Sequence, residues 1–147
     1  MEQLFGGLIF LAAIAFIIAI YSIGAEIAGA IMLYSLNKKQ KECEDWEAAI
    51  PIVNMIGYSK FAGIPKEYAY VYLGVVVFYI ICTSAKWGIA SLCSLAMFGY
   101  NVYLAIKFKE KYEISLAKTI LAVLFGRYIL LIGFKPVAKI ETTDTVE

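Results

Sequence analysis

Residues 4–36 read LFGGLIFLAAIAFIIAIYSIGAEIAGAIMLYSL, an apolar run that only Ser22, Glu26 and Ser35 interrupt. At 1.5 Å per residue, its roughly 33 residues form a helix of about 50 Å, which exceeds the ~30 Å hydrocarbon core of a bilayer. We therefore predict a first transmembrane helix that either tilts strongly or leaves the bilayer around residues 24–29. We favour the second arrangement because it brings Glu26 to the membrane interface.

The composition of the whole chain points the same way. The 147 residues are 62% hydrophobic and 17% charged, with a mean hydropathy of +0.77. A soluble domain is usually about half apolar and about a quarter charged. The apolar residues form runs separated by short stretches rich in Lys and Glu, as in membrane spans joined by loops. The sequence predicts an all-α integral membrane helical bundle that forms a single membrane domain.

Four apolar runs are long enough to be transmembrane helices, at residues 4–36, 68–84, 88–108 and 114–134. The piece at 46–64 is too short and too interrupted to span, and we interpret it as an interfacial or re-entrant segment. Residues 140–147 form a polar tail. A three-span arrangement, with one helix lying on the surface, remains an alternative to the four-span prediction.

The placement of lysines predicts the orientation. One side of the membrane would hold most of them, and the positive-inside rule makes this side cytoplasmic. Both termini are then outside, in a multi-pass protein of the cell membrane, and the composition suggests a bacterial inner membrane. The cytoplasmic group is Lys38, Lys39, Lys41, Lys60, Lys66, Lys107, Lys109 and Lys111, and the other is Lys86, Lys135 and Lys139.

Small residues recur along one face of the first helix at spacings of three and four. Such a face lets another helix approach closely, and close packing drives helix association in lipid. The face either lines a homo-oligomer, with Glu26 towards a pore or partner, or packs against other spans of the same chain. We favour packing within the chain. The face comprises Ala12, Ala15, Ala19, Ser22, Glu26 and Gly29.

Other polar residues occur within the predicted spans. Ser94 and Asn101 share a face of the third span, where they would hydrogen-bond across a helix interface or line a polar path. Arg127 lies deep in the fourth span. We expect no Glu26–Arg127 ion pair, because the predicted topology places these residues near opposite faces of the membrane.

The sequence offers little for catalysis or metal binding. Histidine is absent, the three cysteines form no CxxC pair, and no nucleotide-binding motif occurs. The neighbouring Ser59 and Lys60 point apart on a helix, which argues against a dyad. With a net charge of +1, no basic field indicates nucleic acid. We predict no catalytic residues, no metal site, no cofactor and no nucleic-acid partner.

Residues 46–65 carry the pattern Trp-x-Ala-x-Ile-Pro-x-x-Asn, followed by Lys-x-x-Gly-x-Pro. This pattern resembles a family of small bacterial polytopic membrane proteins with no established biochemical activity, so the resemblance implies the fold alone. Physically, Pro51 interrupts helical hydrogen bonding, and the Asn54 amide would satisfy a freed backbone group. We therefore predict a re-entrant elbow at Pro51 and Asn54.

These observations favour a non-enzymatic membrane protein that acts as a structural or assembly subunit of a membrane complex. Its partners would be the lipid bilayer and either further copies of itself or other membrane proteins. The alternative function is a homo-oligomeric pore or channel, including holin-like permeabilisation.

Overall fold

A computed structural model describes residues 2–85 and 88–133, and within these ranges the chain is all-helical. The predicted tail at 140–147 lies outside the described residues. Six α-helices and a final 3-10 helix follow one another along the chain. Their bounds are α1 Glu2–Gln40, α2 Asp45–Ala49, α3 Asn54–Ala62, α4 Lys66–Ser84, α5 Ala90–Tyr112, α6 Leu116–Phe125 and the 3-10 helix Arg127–Leu131.

Local chemistry explains where the helices end. α1 stops at Gln40 because the Asn37 side chain turns the chain, donating from Nδ2 to the Cys43 carbonyl (2.7 Å) and accepting from the Cys43 amide (3.0 Å). α5 ends at Tyr112, and the next residue, Glu113, has left-handed backbone angles. Ser115 caps the start of α6, since its hydroxyl accepts a hydrogen bond from the Lys118 amide.

α3 forms the centre of the bundle. It packs against α1, α2, α4 and α5, and every residue from Asn54 to Ala62 except Lys60 is buried. Its Tyr58 and Phe61 are fully buried beside Leu33 of α1 and Phe108 of α5. The segment predicted as interfacial or re-entrant is therefore the part of the chain around which the longer helices assemble.

Among the described residues, three helices are long and apolar enough to cross a membrane, namely α1, α4 and α5. Their 39, 19 and 23 residues correspond to lengths of about 58, 28 and 34 Å. Few residues of their apolar windows are buried inside the bundle: 0%, 11% and 22% respectively. Exposed apolar surface on this scale is expected where lipid, not water, is the solvent.

The structure does not confirm the fourth span. Residues 114–134 do not form one helix, because α6 ends at Phe125 and Gly126 adopts φ +128°, a conformation that side chains rarely allow. The chain then folds back, so that the Lys118 ammonium reaches the Ile132 carbonyl. In a continuous helix these residues would lie about 21 Å apart. We call this unit, residues 116–132, the α6 hairpin.

α1 extends far beyond the rest of the bundle. Residues 6–24 are all exposed, whereas Gly29, Ala30, Leu33 and Asn37 are buried. The helix stays continuous through residues 24–29, where we expected it to leave the bilayer. We call residues 6–24 the upper half of α1; it is exposed, although Tyr21 near its end bonds to the α6 hairpin. The remaining lower half is part of the core.

Candidate functional site

The most distinctive polar group of the bundle is an ion pair between α1 and the α6 hairpin. Arg127 Nη2 lies 2.7 Å from Glu26 Oε2 and 3.0 Å from Asn54 Oδ1, to which it donates a hydrogen bond. The two charged side chains are 13% and 35% exposed. The guanidinium also lies 5.5 Å above the Tyr58 ring, a cation–π arrangement. Three helices thus meet at one arginine.

Two features of the chain bring these groups together. Gly126, with its positive φ, turns the α6 hairpin so that Arg127 points towards α1. Tyr21 then holds the tip of the hairpin, since its hydroxyl donates to the Phe125 carbonyl (2.8 Å) and lies 2.9 Å from the Tyr128 hydroxyl. The arginine is therefore fixed both by its own contacts and by the turn before it.

Our expectation that Glu26 and Arg127 lie near opposite membrane faces is wrong. It assumed that α1 leaves the bilayer near Glu26 and that residues 114–134 cross it. In the structure, Glu26 lies 14 residues above the end of α1 and Arg127 lies 11 residues above the start of α6, or about 21 and 17 Å. α1 ends and α6 begins at the same end of the bundle, which carries Lys38, Lys39, Lys109 and Lys111 and is here called the lysine-rich end. The two side chains therefore lie at similar heights above it.

A cavity of about 370 Å³ opens beside this ion pair. It lies between the α1 wall, the α6 hairpin tip, and one residue each from α4 and α5. Both charges of the pair line it, together with hydroxyl and amide groups. Its polar lining residues are Tyr21, Ser22, Glu26, Tyr72, Asn101 and Arg127.

Ser94 and Asn101, the two polar residues predicted to share a face of the third span, differ in their surroundings. Asn101 is partly buried and lines the cavity, but its Nδ2 donates to the Met97 carbonyl of its own helix (2.9 Å). Ser94 is exposed on α5 and does not line this cavity. Of Ser94 and Asn101, the structure therefore brings only Asn101 near the ion pair. The hydrogen bond of its Nδ2 stays within α5.

The small-residue face of α1 is divided between two environments. Gly29 is buried, and its surroundings are Tyr58, Tyr128 and Asn54. Ala15 and Ala19 are exposed, as is Ser22, whose hydroxyl donates to the Ile18 carbonyl (2.8 Å). Packing within the chain thus accounts for the lower half of the face alone.

At the predicted elbow the chain makes a turn between α2 and α3, and Asn54 has a different role from the predicted one. Pro51 is exposed in the turn between α2 and α3, and the next residue, Ile52, has φ +72°. The Asn54 carboxamide does not bond a freed backbone group as predicted, because its oxygen accepts from Arg127. Its Nδ2 is buried and has no hydrogen-bond partner among the residues described. Sequence reasoning missed this link to Arg127.

A second ion pair fixes α2 against α3 at the lysine-rich end. Lys60 Nζ lies 2.8 Å from Glu47 Oε1, and the Glu47 side chain is 4% exposed. Ser59 contacts other groups: its hydroxyl donates to the Met55 carbonyl and lies 2.7 Å from the Tyr100 hydroxyl. Ser59 and Lys60 therefore have separate partners. No cluster of metal-binding side chains occurs among the described residues.

Cys43 in the α1–α2 turn gives a test of this packing. Burial, with the Glu47 carboxylate as the second cause, raises the pKa of the thiol to about 12. Because the thiolate is the reactive form, we expect iodoacetamide at pH 8 to label Cys43 roughly a thousandfold more slowly than an unperturbed thiol. Peptide mapping by mass spectrometry measures this rate, and labelling should accelerate only in strongly alkaline solution.

Protein unfolded in dodecyl sulfate is the control, since the same Cys43 should then react at an ordinary rate. Fast labelling of Cys43 in the folded protein would show that the α1–α2 turn is not packed as described.

No protein-family model, curated protein or solved structure is similar enough to this chain to match it. The resemblance of residues 46–65 to a bacterial membrane-protein family stays a prediction, and function must be argued from the chain itself.

Proposed function

We propose that the chain is a multi-pass membrane protein that acts as a non-enzymatic assembly subunit, associating through the upper half of α1. The observation that carries this proposal is that residues 6–24 are all exposed on a helix whose lower half is packed. α1 is roughly 30 Å longer than α4 and roughly 24 Å longer than α5. A helix as long as α4 or α5 is already sufficient to cross a membrane, so the additional length of α1 is available for contact with another helix.

The residues of the exposed half support a helix–helix contact. Ala12, Ala15 and Ala19 continue the face that carries Glu26 and Gly29 lower on the same helix. That face packs closely wherever the bundle covers it. The small side chains of Ala12, Ala15 and Ala19 allow another helix to approach the exposed half of α1 equally closely. Van der Waals packing of this kind drives helix association in lipid. The partner is a further copy of this chain or another membrane protein.

The pore remains the alternative, with less support. A pore lined by this face would direct Glu26 towards water at the centre of a ring of copies. In the structure, the Glu26 carboxylate instead contacts Arg127 of the same chain. A carboxylate held by an arginine is less available to passing ions than a free one.

Replacing Ala15 by tryptophan is expected to disrupt the assembly, because a large ring on the small-residue face prevents close helix approach. Native mass spectrometry in mild detergent should show the loss of an oligomer or of a co-purifying protein. Ile17→Trp is the matched control, since Ile17 lies on the opposite side of the same helix turn and is also exposed.

Two results would contradict the proposal. One is a monomer with no co-purifying partner in the unchanged protein, and the other is an equal effect of the two tryptophan variants. Leakage of dye from liposomes that contain the protein alone would favour the pore instead.

A further inference from the structure

We infer that the cavity beside the Glu26–Arg127 pair binds a small zwitterionic group, in which an ammonium is joined through a short linker to a phosphate or carboxylate. The cavity, of about 370 Å³, is within the range of small-molecule sites. The cavity takes Ser22 and Glu26 from the same face of α1 that carries the proposed assembly, but Ala12, Ala15 and Ala19, which lie further towards the N-terminus, do not line it.

The charges that line the cavity set the class of ligand. A single anion near Arg127 would also meet Glu26, whose Oε2 is only 2.7 Å from the guanidinium. A single cation near Glu26 would likewise meet Arg127. In both cases the attraction to one residue and the repulsion from the other largely cancel. A zwitterion can place its anionic group beside Arg127 and its ammonium beside Glu26, which gives two attractive contacts at once.

The paired residues keep hydrogen-bonding capacity for such a ligand. Arginine carries five N–H donors, and within the described chain the side-chain bonds of Arg127 come from Nη2 alone. Glu26 uses Oε2 in the pair, which leaves Oε1 for an ammonium. The ligand therefore adds to the ion pair and does not have to break it.

The remaining polar groups extend the acceptor side of the cavity. Asn101 donates through Nδ2 to its own helix, which leaves its carbonyl oxygen for an ammonium. The Tyr72 side chain also lines the cavity, from α4. Polar groups enclosed by apolar helices are costly unless they have partners, so the cavity favours an occupant that carries its own charges over apolar lipid chains.

The group could belong to a soluble metabolite or to the headgroup of a zwitterionic lipid, and the probes should separate these sources. O-phosphoethanolamine tests the soluble form, with inorganic phosphate and ethylamine as its separate charged halves. Phosphatidylethanolamine tests the lipid form, with phosphatidylglycerol as the anionic comparison. The full-length protein in an uncharged detergent is studied by thermal unfolding with the soluble probes and by native mass spectrometry with the lipids.

We expect a zwitterionic probe, soluble or lipid, to bind at least ~10-fold more tightly than its singly charged counterparts, a difference of about 1.4 kcal/mol. A melting-temperature increase with O-phosphoethanolamine alone identifies a soluble ligand. Retention of phosphatidylethanolamine alone identifies a headgroup. Either result supports the inference.

Two variants fill the cavity from opposite walls without removing an inter-helix hydrogen bond. Asn101→Leu acts from α5 and Ser22→Leu from α1, since both side chains donate only to their own helices. Each should weaken binding of the zwitterionic probe by ~10-fold or more. Ser94→Leu is the matched control, because it makes a comparable exchange on α5 away from the cavity and should leave binding unchanged.

The inference is overturned if no zwitterionic probe binds, or if phosphate or phosphatidylglycerol binds as tightly as the zwitterion. It is also overturned if both cavity-filling variants bind the probe as the Ser94→Leu control does. Loss of oligomerisation in the Ala15→Trp variant has no bearing on these measurements, so the two proposals fail separately.

Discussion

Replacing Arg127 by glutamine is expected to lower the free energy of unfolding by about 3 kcal/mol, at the low end of the range for breaking a buried ion pair because Glu26 is one-third exposed. The change leaves the Glu26 carboxylate without its counter-charge and removes the charged donor to Asn54 Oδ1. Denaturation of the purified protein in mixed micelles, followed by circular dichroism, measures the loss. Arg127→Lys should recover only part of it, because a single ammonium cannot reproduce the fork of the guanidinium.

A double-mutant cycle separates the ion pair from the other contacts of Arg127. The Glu26→Gln/Arg127→Gln double variant should lose less unfolding free energy than the two single variants lose together. The reason is that the second change removes a residue whose partner is already neutral. The matched control is the exposed Lys107–Glu110 pair, for which coupling of at most about 0.5 kcal/mol is expected. Equal coupling in the two cycles would contradict the assignment of Glu26–Arg127 as the buried link.

The second large effect is expected from Gly57→Ala at the contact of α3 with α1 and α2. A Cβ atom at Gly57 would lie 2.8 Å from Leu33 Cδ2 and 3.1 Å from the Glu47 carbonyl oxygen. The leucine side chain can move, but the carbonyl belongs to α2, which the Glu47–Lys60 ion pair holds against α3. We expect a loss of about 2 kcal/mol in the free energy of unfolding.

Gly99→Ala is the control for this change. Gly99 lies inside α5, and an added Cβ would meet no atom within 4 Å. Because alanine favours a helix more than glycine does, this variant should be unchanged or up to about 1 kcal/mol more stable. If Gly57→Ala is as stable as Gly99→Ala, α3 cannot be packed as tightly as the structure shows.

The sequence allowed the three long helices to be predicted, because their length and apolar content leave little choice. The runs at 4–36, 68–84 and 88–108 correspond to α1, α4 and α5, with boundaries displaced by at most four residues. The end of the fourth run could not be predicted in this way. Gly126 lies within an apolar stretch, where glycine is common in membrane helices, and only the tertiary contacts of Tyr21 reveal the turn there.

The candidate site exists only because the chain turns at Gly126, which brings Arg127 to α1. Glu26, Asn54, Asn101 and Arg127 were each identified as unusual from their polarity in apolar surroundings. Their meeting could not be foreseen, since it requires both the fold-back at Gly126 and the central position of α3. A short helix with polar residues on several sides resembles a surface segment until the helices that cover it are known. Polarity thus identified the residues, whereas topology determined their partners.

The distance along the chain between the two charges has a consequence for biosynthesis. Glu26 and Arg127 are 101 residues apart, so the arginine leaves the ribosome well after the first helix is made. At about 5–20 residues per second, the carboxylate waits roughly 5 to 20 s for its counter-charge. During that interval α1 carries an acid without its counter-charge. The contact can form only after the α6 hairpin has been made, so the lower half of α1 gains its last partner well after the helix itself is synthesised.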